Sequence, residues 1–153
     1  MAKDEIFFMQ EAIEQAKLAA LENEVPIGAV IEYQGKVFAA GRNRRVQKHS
    51  AIAHAEIEAI ETAAQKLGDW RLEDMTLYVT VEPCVMCAGA IIHSRIKRVV
   101  YGCPEPKMGG VESLFKLFDH KKLHHKPKYS NGVMEEECGK LLKDFFKERR
   151  VRP

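Results

Sequence analysis

The chain has 153 residues, 46% of them hydrophobic and 30% charged, which suits one globular domain with a single continuous core. A mean hydropathy of -0.29, with no uncharged apolar run near the roughly 18 residues of a membrane span, argues against an α-helical membrane protein. The start Met1-Ala2-Lys3-Asp4-Glu5 has acids where a secretory leader has bases, so a cytoplasmic address is expected.

Net charge is only +2, but it is unevenly spread. Residues 1–33 carry seven acids against two lysines, a net of −5, and residues 121–153 carry ten Lys or Arg against five acids, a net of +5. The C-terminal segment could therefore meet a polyanion, although a solvated helix face is the simpler reading of charge alone.

Taken in chain order, Ile6, Met9, Ile13, Ala16 and Ala20 recur at steps of three and four and predict an amphipathic helix to about Leu21. Gly28-Ala29-Val30-Ile31 and Val37-Phe38-Ala39-Ala40 flank Tyr33-Gln34-Gly35-Lys36 and read as a β-hairpin. The basic stretch from Arg42 to Ser50 has no period and reads as a loop. A second helix is predicted from about Ala53 to Leu67, with Ile57, Ile60, Ala64 and Leu67 on its apolar face and Gly68 as its stop. Thr76–Val81 is a strand by composition, Cys84 to His93 a buried helix, and Arg98–Tyr101 a further strand, an order that implies a crossover and a parallel pair. A long amphipathic helix, about 135–150, closes the chain with Met134, Cys138, Leu141, Leu142 and Phe145 on one stripe. No boundary divides residues 1–153, so one domain is expected.

Two short motifs carry chemistry, each at the start of a predicted helix: His54-Ala55-Glu56 and Pro83-Cys84-Val85-Met86-Cys87. One imidazole and two thiolates are a ligand set that zinc prefers, and three protein ligands leave the open position of a catalytic site. Cys84 and Cys87 alone could equally be a redox dithiol or part of a structural site; His54 and Glu56 make the catalytic reading stronger. Cys103 and Cys138 lie in or beside apolar elements, as buried free cysteines do. The pair His124-His125 sits among lysines and suits surface or anion contact better than ligation. The positive end of a helix dipole favours thiolate, which eases metal binding. Glu56 lies two residues beyond His54, off its helix face, but at a first turn it can reach the space beside the metal. There a carboxylate can take a proton from zinc-acidified water and pass it to a leaving group.

The two motifs resemble the signature of zinc-dependent nucleobase deaminases, whose glutamate is not a ligand. Over nearly its full length the chain resembles bacterial tRNA-specific adenosine deaminases, through Glu24-Val25-Pro26-Ile27-Gly28-Ala29-Val30, Gly41-Arg42-Asn43-Arg44, Ala53-His54-Ala55-Glu56-Ile57, the run from Thr76 to Ala90, His93-Ser94-Arg95-Ile96 and Asp144-Phe145-Phe146. The resemblance implies an α/β fold, the three-layer α/β/α cytidine-deaminase-like structure with a central mixed sheet, working as a homodimer with one zinc per subunit. It implies conversion of adenosine to inosine at the wobble position of a tRNA anticodon stem-loop, with release of ammonia. His54, Cys84 and Cys87 would hold zinc, Glu56 would move protons, and Asn43 would hydrogen-bond the base. A base splayed from a folded RNA also needs phosphate and stacking contacts around the pocket. Arg42, Arg44, Arg45 and Lys48, just before the second helix, and Lys107, His125, Phe146, Arg149 and Arg150 are the candidates for them, whereas Phe145 fits the apolar stripe better. The chain departs from the family pattern at Ser50-Ala51-Ile52, Glu105, Glu112-Ser113 and His124-His125. A deaminase of free bases or nucleosides, or a zinc-stabilised RNA-binding module without catalysis, are the alternatives.

Overall fold

A computed structural model describes residues 3–151, apart from the side chains of Lys3, Arg150 and Val151. Helices α1 (Lys3–Leu21), α2 (Ala55–Leu67), α3 (Val85–His93) and α4 (Glu135–Val151) enclose a sheet of β1 (Gly28–Tyr33), β2 (Lys36–Arg42), β3 (Thr76–Val81), β4 (Arg98–Cys103) and β5 (Lys128–Ser130). The strand order is β2-β1-β3-β4-β5. β1 pairs antiparallel with both β2 and β3, while β3–β4 and β4–β5 are parallel, so the sheet is mixed. The predicted hairpin and the parallel pair are present. β5 escaped prediction because three residues, Lys-Tyr-Ser, carry no apolar alternation.

Strand alternation sends side chains to two cores. Ile31, Leu77, Val79, Val99 and Tyr101 face α2 and α3, whereas Val30, Tyr78 and Val100 face α1 and α4. Helices on both faces of one sheet give three layers.

The helix faces differ from the apolar spacing. In α1, Ile6 is 40% exposed, and the buried set is Phe8, Met9, Ala12, Ile13, Ala16 and Ala19. In α2 the buried side chains are Ala55, Glu56, Ala59 and Ala63, while Ile57, Ile60 and Ala64 are only half-buried and Leu67 is exposed. Small side chains let the α2 backbone lie directly on the sheet. A Cβ on Gly41 of β2 would overlap the Ala55 carbonyl oxygen, so close approach takes precedence over bulk there.

Because β3 and β4 run parallel, their carboxyl ends share one edge, where Glu82-Pro83-Cys84 and the 104–113 loop emerge. The start of α2 reaches the same edge. The candidate site forms there.

Candidate active site

His54 is the N-cap of α2 and Cys84 the N-cap of α3, both with extended backbone, and neither side chain caps its own helix. Each is therefore free to turn toward the gap between the helices, and Cys87, one turn into α3, joins them. His54 Nδ1 lies 3.7 Å from Cys84 Sγ and 3.5 Å from Cys87 Sγ. Tetrahedral zinc with bonds of about 2.0 Å to nitrogen and 2.3 Å to sulfur would set a nitrogen and a sulfur about 3.5 Å apart. The donor set and its spacing therefore fit zinc, and this is the single group of His, Cys, Asp or Glu among the described residues close enough to hold a metal ion.

The electrostatics follow from crowding. A hydrogen bond from the Cys87 thiol, with a further contribution from His54, lowers Cys84 to about 4 against the opposing cost of burial. Cys87, which gives that bond and is also buried, is pushed up. Contact with Cys84 raises His54. Glu56 is 4% exposed, and burial lifts its carboxyl to about 7 although its own backbone N–H and the charge of His54 pull it down.

A cavity of about 520 Å³ opens over this cluster. Asn43, His54, Glu56 and Cys84 form its inner part, and Arg45, Lys107, Met108 and Phe146 stand at its mouth. Asn43 is buried; its Nδ2 donates to the Val25 carbonyl at 3.3 Å, and its Oδ1 accepts from the Arg45 N–H at 3.2 Å. Those two bonds fix its orientation and leave one donor and one acceptor site unused. Phe146 is 47% exposed, as a stacking surface must be, whereas Phe145 is half-buried beneath the Arg149 guanidinium.

Of the other expected contacts, His125 and Arg149 do not line the cavity. His125 lies at the opposite end of the sheet, before β5, with its Nε2 2.6 Å from the Ile96 carbonyl. Its separation from the pocket is the length of a six-residue strand, about 20 Å. Arg149 does not line the cavity; it donates to the Asn23 carbonyl at 2.6 Å and fastens the end of α4 to the turn after α1. Arg150 lies in α4, with its side chain outside the described part.

Two buried glutamates, Glu24 and the cavity-lining Glu82, have their carboxylates taken up by loop donors. Glu24 accepts the N–H groups of Val46 and Gln47, at 3.1 and 2.8 Å, and ties down the loop after β2. Glu82 does the same for the 105–113 loop. A glutamate in an otherwise apolar strand end was the available signal for Glu82, but only the folded loop supplies its partners.

A three-layer α/β/α fold with one His and two Cys at helix starts and a buried Glu beside them defines the nucleobase-deaminase class with the cytidine-deaminase-like fold. A family model described as MafB19-like deaminase matches residues 2–150. A tRNA-specific adenosine deaminase of Bacillus subtilis (strain 168) is 47% identical over 150 residues, 98% of this chain and 92% of that protein. The chain belongs to the family of tRNA-specific adenosine deaminases. A structure solved in studies of A-to-I editing by tRNA:A34 deaminases at the wobble position of transfer RNA is 43% identical with a TM-score of 0.86, over 89% of this chain and 99% of that one. A guanine deaminase from Nitrosomonas europaea shares the fold at 24% identity and a TM-score of 0.80, over 94% of this chain and 84% of that one.

Proposed function

We propose that the protein deaminates adenosine to inosine at the wobble position of a tRNA anticodon loop, acting as a zinc-dependent hydrolase. The observation that carries this is the convergence of His54, Cys84, Glu56 and Asn43 on one cavity whose mouth holds two cations and an exposed aromatic ring. The substrate class draws on the near full-length likeness to tRNA-specific adenosine deaminases.

His54, Cys84 and Cys87 are the proposed ligands of one zinc ion per subunit. Bound there, zinc supplies the Lewis acidity that makes water a usable nucleophile near neutral pH. The chain's own groups do the remainder. Glu56, beside the ligands and shielded from solvent, holds a proton that it gives to the ring nitrogen next to the reacting carbon, and it takes another from the water whose oxygen bonds to that carbon. That second proton goes to the amine, which leaves as ammonia when the carbon–nitrogen bond breaks, and the remaining hydroxyl proton returns to Glu56 as the carbonyl forms. The unused amide sites of Asn43 orient the base, and its two backbone bonds prevent it from turning away. Around the mouth, Arg45 and Lys107 meet phosphates and Phe146 stacks a flanking base, which a nucleotide splayed out of its loop requires. Apolar side chains left exposed in one chain, Ile52, Leu114 and Phe115, suit the burial that a homodimer provides. No helix among the described residues is long and apolar enough to cross a membrane, and a cytoplasmic location suits a tRNA-modifying enzyme.

Incubation with an anticodon stem-loop bearing adenosine at the wobble position, followed by nucleoside analysis, tests the reading. Inosine is expected only in RNA that carries that adenosine. Turnover of free adenosine or guanine with no inosine in the RNA would overturn the substrate.

A further inference from the structure

Glu82 follows the last residue of β3 and precedes Pro83-Cys84, yet it takes no part in the chemistry above. It is 2% exposed, and none of the ion pairs among the described residues includes it. A buried carboxylate without a cation must be met by hydrogen-bond donors. Here five donors come from one loop. Oε1 accepts the Glu105 N–H at 3.0 Å and the Ser113 hydroxyl, and Oε2 accepts the N–H groups of Val111, Glu112 and Ser113 at 3.2, 2.8 and 2.9 Å.

The contact is close along the loop's length. A Cβ on Gly109 would stand 2.5 Å from the Glu82 carboxyl group, and the Gly110 N–H donates to the Pro83 carbonyl at 2.8 Å. Between Cys103 and Leu117 the chain forms no strand or helix; turns such as that closed by the Gly109 N–H on the Glu105 carbonyl shape the loop locally, and the Glu82 bonds join its two ends to the end of β3. Its outer residues Glu105, Lys107 and Met108 line the cavity. Inward amides are thus held on a fixed carboxylate, while side chains from the same segment form the pocket wall.

We propose that Glu82 is a positioning residue for substrate: its carboxylate holds the 105–113 loop as the wall against which the RNA flanking the target base binds. This rests on the deaminase reading. Although Glu82 is among the residues that line the cavity, both of its carboxylate oxygens are taken up by loop donors, so it acts through the backbone that carries Lys107 and Met108. Replacing one oxygen by an NH₂ group in Glu82→Gln sets a donor against donors and frees the loop with little change in size.

The test uses the full chain with zinc bound and compares wild type, Glu82→Gln and Ser113→Ala. It measures deamination of the stem-loop, zinc content, and amide hydrogen exchange in 105–113 and 43–50. Glu82→Gln is expected to raise KM about tenfold with kcat within about threefold, as loss of binding shared by ground and transition states does. Exchange in 105–113 is expected to quicken by at least about tenfold while 43–50 and the zinc content stay as in wild type. Unchanged KM and exchange, or loss of zinc together with kcat, would overturn the proposal. If Glu82→Gln does not fold, Ser113→Ala decides, because it removes one donor from a solvent-facing residue; a KM rise of about threefold supports the role and an unchanged KM refutes it. Wild type that leaves the stem-loop untouched would instead refute the substrate reading, and the exchange comparison alone would then decide whether Glu82 orders the loop.

Discussion

His54 and Cys84 hold equivalent positions, each the residue before a helix, and neither side chain satisfies its own helix. That placement is why the proposed ligand set was legible: two short motifs, each following a break and opening a periodic segment, put donors where helix dipoles favour anions. Glu56 was legible through its neighbour His54 alone. Glu56→Ala is expected to lower kcat by about 10²–10⁴-fold while zinc content and circular dichroism stay unchanged; activity near wild type would remove it from the proposed chemistry. Glu82 was not legible, because a single acid in a strand end has no period and no partner in sequence. Arg149 and His125 show the converse, since basic residues near aromatics or lysines suggested RNA contact, and the fold gives both of them backbone carbonyls. At this scale one pH effect follows. Hydrogen bonds from Arg42, then Gln47, lower Glu22 from the ordinary 4.5 to about 2. A depressed carboxylate contributes stability above its unfolded pKa and loses it as pH falls through the folded one. Between about pH 5 and about pH 2, wild type should therefore lose more Tm than Glu22→Gln, and salt should narrow the difference because the pair is partly exposed.

At the scale of elements, α2 shows why apolar spacing misjudges a close contact. Isoleucines at positions 57 and 60 suggest the packing face, but the helix lies on alanines 55, 59 and 63 and keeps the isoleucines at its flank. Burial energy favours the larger side chains, but the sheet at Gly41 has no room for them. Gly41→Val is expected to destabilise the protein by at least about 2 kcal/mol, read as a lower denaturant midpoint, because backbone rather than a flexible side chain occupies the space. A midpoint equal to wild type would show that α2 can retreat. Precise seating of α2 also matters to the site, since His54 and Glu56 are carried on its first turn. β5 was invisible for another reason: three residues gain their strand geometry from β4, whose edge they extend, and not from their own composition.

Across the whole molecule, the site joins parts far apart in sequence. Residues 43 and 45, 54 and 56, 82 and 84, 105, 107, 108 and 146 line one cavity because antiparallel β1 and parallel β3 and β4 bring their connections to one edge. Both cores extend along the two faces of the sheet well beyond the proposed metal, so zinc should fasten α2 to α3 rather than create the fold. Chelation is expected to lower Tm by about 5–10 °C with far-ultraviolet circular dichroism retained; complete unfolding on chelation would make the metal structural. What the sequence alone determined was the order of the main helices and strands, the hairpin, the parallel pair and the two motifs proposed to hold the metal, since each rests on spacing within a dozen residues or on a short pattern. The three-layer fold and the chemistry followed from resemblance to a family. Only the tertiary structure decided which helix face packs, which basic residues reach the pocket mouth, and that two buried glutamates shape its loops, because these depend on backbone groups and close approaches between segments that no local pattern records.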